Sequence, residues 1–357
     1  MAEEGRGAAG IALAGAPAGR LTAIAPAGGS PLLCADIGGS FIHAALVGDD
    51  GVPTGNRRVP TPADDFAAFV AALEDIARGF GPALAPAAPL VLSIAALVEP
   101  ETGSLVSANI PCVNDRPAIA EISARLGRPV DAVNDADSFT LAEALTGVGA
   151  GHRVVFGAIL GTGVGGGLVI DGRPVRGRSG VAGEWGHGPI VNQRTRAGRE
   201  IPRLQCGCGR WGCLDTFGGA RGLERLDAYL NESAARDSRA IIAAWHAGEA
   251  AAVATMAAYL DIVAEPLALV VNVTGASIVP LGGGLSADPG LVEALDRNLR
   301  ERILRPAATP IVVRARHSQD AGLRGAALLR RSLSAAPADH FGIAAQAGGA
   351  FIHTGGA

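Results

Sequence analysis

Short apolar runs along this chain alternate with glycine-rich breaks and with stretches of helical period. Residues 32–35 (Leu-Leu-Cys-Ala) form one such run, ending at Asp36, and a second covers 42–47 after Gly38-Gly39-Ser40. Runs of this length bounded by turn residues predict buried strands. Asp50-Gly51 marks the next turn, with a third strand near 57–59. Asp64 is expected to cap a helix that carries Phe66, Phe69, Val70, Leu73 and Ile76 on one face, and that face is expected to be core. A strand follows at 90–94, then a helix over 117–126 stopped by Gly127.

The strand predicted at 130–133 runs into Asn134-Asp135-Ala136-Asp137, and a helix with Phe139, Leu141, Ala142 and Leu145 begins at once. A carboxylate at the carboxyl end of a strand, before a helix, sits where open α/β sheets bind ligands. Either aspartate can also be a simple helix cap; we expect one to cap and the other to do chemistry. Strands at 154–160 and 168–170 flank Gly161-Thr162-Gly163-Val164-Gly165-Gly166-Gly167. Helices are expected at 219–229, 238–246 and 249–273, the last kinked or split by Pro266. A strand at 277–281 leads into Gly282-Gly283-Gly284 and a helix over 289–304; a strand at 311–313 and a helix at 321–332 close the fold.

Two of these hairpins share one logic. Each is strand, glycine-rich turn with a hydroxyl, strand, and they lie about 125 residues apart. A glycine pair in a hairpin is mostly only a turn. Its repetition points to an internally duplicated fold and strengthens the reading of both turns as phosphate cradles, with Asp36 facing a metal-bound water. The third glycine cluster, Gly282 to Gly284, allows a nucleoside to approach the backbone.

The densest chemistry lies between Gly180 and Asp215. Gly183-Glu184-Trp185-Gly186-His187 is followed, after eighteen residues, by Cys206-Gly-Cys208-Gly-Arg-Trp-Gly-Cys213, so three of the five cysteines fall within eight residues. Three thiolates and one imidazole with flexible glycines between them form a Cys3His zinc set. Incidental cysteines in a glycine-rich loop are the alternative; the clustering in a cysteine-poor chain favours the metal.

Composition narrows the function classes. The 357 residues are 48% hydrophobic and 18% charged, with formal net charge -4, which gives no broad footprint for nucleic acid. The sequence contains no lysine, which excludes P-loop lysine and Schiff-base chemistry. The two remaining cysteines, Cys34 and Cys112, argue against a disulfide framework and fit a cytoplasmic protein. The most apolar stretch, 250–273, carries Asp261, Glu265 and Pro266, so it is expected to be a soluble helix and no membrane span is expected. Residues 1–29 lack the pattern of a signal peptide and are expected to be a disordered extension; 334–357 are expected to be a flexible tail.

Taken in order, Asp36-Ile-Gly-Gly-Ser40, Asn134-Asp-Ala-Asp137, the Gly161–Gly167 run, Gly183-Glu-Trp-Gly-His187, the cysteine cluster and Leu281-Gly-Gly-Gly284 resemble the ROK family of sugar kinases and repressors, over about residues 32–333. Val59-Pro-Thr-Pro62, Ala108-Asn109-Ile-Pro111 and Arg316-His317 are similar to the N-acetylglucosamine kinase branch, with fructokinases next. The resemblance implies a two-lobed actin/hexokinase-like fold of duplicated ribonuclease-H-like topology. One lobe would be 30–133, completed by about 305–333, and the other 134–304 with a zinc loop at 180–215.

It also implies ATP and Mg2+, a structural Zn2+, and a homodimer acting on a small-molecule sugar, most closely N-acetyl-D-glucosamine at its 6-hydroxyl. By that resemblance Asp135 is the catalytic base. Asn109, Asn134, Asp135, Glu184, His187 and Asp215 touch sugar. Asp36, Gly38, Gly39, Ser40, Gly161, Thr162, Gly163, Gly282, Gly283 and Gly284 face the nucleotide, and His187, Cys206, Cys208 and Cys213 hold zinc.

Three departures stand out: Phe41 where a lysine is common, Ser93-Ile-Ala-Ala96 in place of a Gly-x-Pro-Gly turn, and Asp215 in place of glutamate. Other expectations in the family are a fructokinase, a glucokinase, or an N-acetylmannosamine kinase. A sugar-responsive repressor would need a DNA-binding domain, and the 35 residues before Asp36 lack the pattern of one. Against a non-catalytic sensor stands the intact Asp135.

Overall fold

The computed structural model describes residues 30–99, 101–317 and 319–335. The expected extension at 1–29 and the tail beyond 335 lie outside the described residues; Ser334 and Ala335 still belong to the last helix.

Strands β1 (Leu32–Ile37), β2 (Phe41–Val47) and β3 (Pro53–Pro60) form an antiparallel meander. Helix α1 (Phe66–Gly79) then crosses to β4 (Leu90–Ile94), which pairs parallel with β1. A two-stranded ribbon, β5 (Leu97–Val98) and β6 (Leu105–Val106), precedes α2 (Ala118–Leu126) and β7 (Val130–Asn134), which is parallel to β4.

Helix α3 (Asp135–Thr146) leads to β8 (Val154–Leu160), β9 (Val164–Ile170) and β10 (Arg173–Pro174), a second antiparallel meander. After the long loop come α4 (Asp215–Gly218), α5 (Ala220–Asn231), α6 (Ser238–His246) and α7 (Ala250–Thr274). Then follow β11 (Val279–Gly282), α8 (Pro289–Arg300), β12 (Val312–Arg314) and α9 (Ala321–Ala335).

The two sheets have the same construction. One runs β3-β2-β1-β4-β7 and the other β10-β9-β8-β11-β12, each antiparallel on one side of its first strand and parallel on the other. The duplication expected from the glycine hairpins is therefore present strand for strand. The stretch 305–333 divides between them: β12 joins the second sheet, and α9 packs against β1, β2 and β4 of the first.

Each sheet has its own apolar cluster. Phe69, Val70, Leu73 and Ile76 of α1 are buried against the first sheet, as their spacing predicts. Side chains of this size contribute about 1.5–3 kcal/mol each on burial. A third cluster, with Cys34, Val91, Val155, Val169 and Leu323, lies between the sheets, where α3 and α9 pack together.

Some local expectations are corrected. Asp65, not Asp64, caps α1, its carboxylate accepting from the amides of Ala67 and Ala68. Helix α8 ends at Arg300 rather than 304. Pro266 does not split α7, which runs continuously over 25 residues. That helix is long and apolar enough to cross a membrane, but 61% of its most apolar window is buried inside the protein, where α5, α6 and α8 pack on it.

Candidate active site

The carboxyl ends of β1, β4 and β7 lie side by side, pairing Asp36 with Ser93 and Ile94 with Asn134. This brings together groups far apart in sequence. The Ser93 hydroxyl donates to Asp36 Oδ1 at 2.7 Å. Burial pushes the Asp36 carboxyl above its usual range, opposed by the Ser93 hydrogen bond and by the charge of His43.

Asp135 opens α3 beside them. Neither aspartate caps the helix: Asn134 does, its side-chain oxygen accepting from the amides of Ala136 and Asp137 at 2.9 and 3.2 Å. Asn134 Nδ2 meanwhile donates to the carbonyl of Ala96. Asp135 Oδ1 also accepts from the Ala136 N–H at 2.9 Å. Burial, and next the neighbouring charge of Asp36, raise the Asp135 carboxyl to about 7, with backbone N–H groups opposing. Asp137 is also raised to about 7, chiefly by burial, and its Oδ1 has no hydrogen-bond partner among the described residues.

A cleft of about 950 Å³ lies over these strand ends. Asn109, Asn134, Asp135, Gly161, Thr162, Gly163, Glu184, His187 and Asp215 all line it. Its wall also carries Ala95 and Ala96 of the departing 93–96 loop, and Arg210 and the exposed Val106 and Val181, which the sequence did not single out. Asp36, Gly38, Gly39 and Ser40 are not in that wall, but a methyl at Gly39 would come within 2.9 Å of the Asn109 carbonyl, so the first turn packs directly behind it. Gly283 is held at φ 85, and a side chain there would collide with the Leu160 carbonyl; the third glycine turn thus lies on the second. Added methyls at Gly38, Gly161 and Gly284 meet nothing closer than 3.9 Å, which leaves the open space a phosphate cradle needs.

The loop bearing Asn109 is fixed by Ser107, which sequence reasoning also passed over. Its hydroxyl donates to the Ala95 carbonyl at 2.7 Å and accepts from the amides of Asn109 and Ile110. Phe41, at the position where a lysine was expected from the resemblance, is covered by the Arg58 guanidinium at 3.9 Å from its ring centre.

The donor atoms of His187, Cys206, Cys208 and Cys213 lie within 4.8 Å of one another. Cys206 Sγ is 3.7 Å from His187 Nδ1, and Cys208 Sγ is 3.7 Å from Cys213 Sγ. Tetrahedral zinc with bonds of about 2.0–2.3 Å sets its ligand atoms about 3.3–3.8 Å apart, which these two separations match, and the donor set is of the type that ion takes. Gly188 N–H donates to Cys213 Sγ, and His187 Nε2 faces Glu184 Oε2 at 3.7 Å. One imidazole therefore has its Nδ1 face on the cysteines and its Nε2 face on Glu184, whose carboxyl burial pushes up.

The sequence pattern of the ROK family matches residues 32–332. The chain belongs to the ROK family. It is 37% identical over 295 residues to the N-acetyl-D-glucosamine kinase of Erwinia tasmaniensis, covering 82% of this chain and 97% of that one. Over the same share it is 35% identical to the N-acetyl-D-glucosamine kinase of Escherichia coli O6:H1. Among solved structures it resembles the ROK hexokinase of Thermus thermophilus, with TM-score 0.71 and 31% identity over 84% of this chain and 97% of that one. It also resembles a ROK glucokinase of Streptomyces griseus in complex with glucose and AMPPNP, with TM-score 0.67 and 26% identity over 83% and 98% of the two chains. The actin/hexokinase-like architecture expected from the motifs is that of this ROK chain.

Proposed function

We propose that this chain transfers the terminal phosphoryl group of ATP to the 6-hydroxyl of N-acetyl-D-glucosamine. The observation that carries the reading is Asp135: a buried carboxyl raised to about 7, at the floor of a cleft that it shares with Asn109, Asn134, Glu184 and His187. The 35–37% identity to kinases named for this sugar supports the substrate.

In this mechanism Asp135 accepts the proton of the attacking hydroxyl. Asn109, Asn134, Glu184 and His187 orient the sugar, and most of the rate comes from alignment and from dipoles set in advance. The nucleotide lies along Asp36 to Ser40, Gly161 to Gly163 and Gly282 to Gly284. Mg2+, when bound near Asp36, supplies charge neutralisation on the phosphates. His187, Cys206, Cys208 and Cys213 would hold Zn2+, whose role would be structural, keeping the loop of Glu184 and His187 in place. A homodimer working in the cytoplasm completes the proposal.

A second hexose has one observation in its favour: Ala95 and Ala96 line the cleft where the family's Gly-x-Pro-Gly turn would stand. A coupled ADP-release assay with ATP, Mg2+ and N-acetylglucosamine, N-acetylmannosamine, glucose and fructose tests both. Preference for N-acetylglucosamine is expected. Preference for a sugar without the acetamido group would overturn the substrate and keep the kinase; no turnover of any of them would overturn the activity.

A further inference from the structure

Asp215 stands at the meeting point of three loops. Its backbone N–H donates to the Gly186 carbonyl at 2.9 Å, inside the loop of Glu184 and His187. One side-chain oxygen, Oδ1, accepts from the Val164 N–H at 2.8 Å, the first residue of β9 after the Gly161–Gly163 turn. The other, Oδ2, lies 3.7 Å from Cys206 Sγ. The turn is fitted to this carboxylate so closely that a methyl at Gly163 would collide with Oδ1. Farther along, the Ala220 N–H donates to the Gly161 carbonyl at 2.8 Å, and a methyl at Gly219 would collide with the Thr162 carbonyl. The segment from Cys213 to Ala220 therefore lies directly on the glycine turn.

We propose that Asp215 is a positioning residue for the nucleotide side of the site, fastening the cysteine loop to the 161–164 turn. This rests on the kinase reading and departs from the sugar contact that a glutamate makes at this position in the family. The physical reason is length. Aspartate is one methylene shorter than glutamate, and in this chain Oδ1 is committed to a backbone amide of the turn. A hydrogen bond to a charged acceptor is worth about 1.5–3 kcal/mol, or roughly 10–100-fold in an affinity that depends on it. The geometry of the cysteine loop and that of the phosphate turn are therefore one mechanical unit, joined at this carboxylate.

The test compares Asp215→Ala, Asp215→Asn and Asp215→Glu in the full-length, zinc-loaded protein. Calorimetry measures binding of AMPPNP with Mg2+ and, separately, binding of N-acetylglucosamine; metal analysis gives zinc per chain. Asp215→Ala is expected to weaken AMPPNP about 10-fold or more and to change sugar affinity by less than about 3-fold, with zinc retained. Asp215→Asn keeps an oxygen acceptor at the same reach and is expected to lose less than about 3-fold for AMPPNP. Asp215→Glu pushes the carboxylate past the Val164 amide and is expected to behave as the alanine variant toward AMPPNP.

Weakened sugar binding with unchanged AMPPNP affinity in Asp215→Ala would overturn the proposal and restore a sugar contact. Loss of zinc together with both affinities would overturn it too, leaving Asp215 as a support of the cysteine loop alone. If the alanine variant does not fold, the asparagine and glutamate variants decide by themselves: equal AMPPNP affinities in the two would overturn it. Should the wild-type protein bind AMPPNP yet turn over another hexose, that hexose replaces N-acetylglucosamine in the binding measurement. The substrate reading then fails while the role of Asp215 is still tested.

Discussion

The Ser93 hydroxyl donates to Asp36 Oδ1 at 2.7 Å, joining the ends of β1 and β4 beneath the first glycine turn. A donor on the charged form favours ionisation, so this bond works against the burial that raises Asp36. Ser93→Ala should raise Asp36 further and make it a poorer ligand for a hydrated cation. We expect the Mg2+ concentration for half-maximal activity to rise about tenfold, from the loss of roughly 1.5 kcal/mol, and to rise more at pH 6.5 than at pH 8. A magnesium titration at the two pH values reads this directly; superimposable curves for variant and wild type would refute it.

Asp135 is raised to about 7, chiefly by burial. As a general base it must be ionised, so kcat/KM should climb with pH through about 7 and flatten above. For stability the sign is opposite. Between the ordinary carboxylate range and about 7 the folded protein binds a proton that the unfolded chain has released, so stability falls as pH rises through that window. Asp135→Asn keeps the shape and removes the charge. It should lose about 10²–10⁴-fold in kcat, yet melt higher than wild type at pH 8, by on the order of 2–4 °C per kcal/mol, and equally with it near pH 4. Melting curves at the two pH values decide the second half; a lower melting point at pH 8 would count against a buried, costly carboxylate.

The duplicated fold was legible because each half announces itself locally: an apolar run, a glycine turn with a hydroxyl, and a second run. Asp135 and the Cys3His set were legible for the same reason, since a strand end and a dense cysteine cluster are short-range signals. What escaped depends on partners distant in sequence. Ser93 acts on Asp36 57 positions away, and Asp215 on Val164 51 positions away, with no local pattern to mark either. The cap of α3 was misassigned because Asn134, Asp135 and Asp137 are all chemically able to cap, and backbone dihedrals rather than residue type choose Asn134. Pro266 fails to divide α7 because the helix is buried on several sides, and packing there outweighs one lost hydrogen bond.

The cysteine loop should carry one zinc per chain. Replacing Cys206, buried and 3.7 Å from His187 Nδ1, with alanine removes a ligand and frees the imidazole that faces Glu184. Metal analysis of protein purified without chelator should give about one zinc for wild type and far less for Cys206→Ala. The KM for sugar should rise about 10–100-fold in the variant, the usual cost of losing support around a metal-held site. Zinc-free wild type with an unchanged sugar KM would separate the metal from the sugar site and refute the link.

The two central helices meet without room for a side chain: a methyl at Gly325 of α9 would collide with the Ser138 carbonyl of α3. In an exposed helix interior, Gly→Ala stabilises by about 1 kcal/mol, because alanine loses less backbone freedom on folding. Here the sign should reverse. The methyl must push α3 away from α9, and overpacking of this kind costs about 1–3 kcal/mol. Because α3 begins at Asp135 and α9 lies against Asp36 through Gly322, the same displacement moves the two carboxylates relative to each other. Gly325→Ala should therefore melt lower than wild type and also lose kcat, whereas a glycine at an open site such as Gly127, at φ 61 after α2, should lose stability through strain alone and keep its kcat when replaced by alanine. Thermal melts and steady-state rates on the two variants separate these effects. An unchanged kcat in a destabilised Gly325→Ala would show that the helix contact supports the fold without setting the distance between the carboxylates.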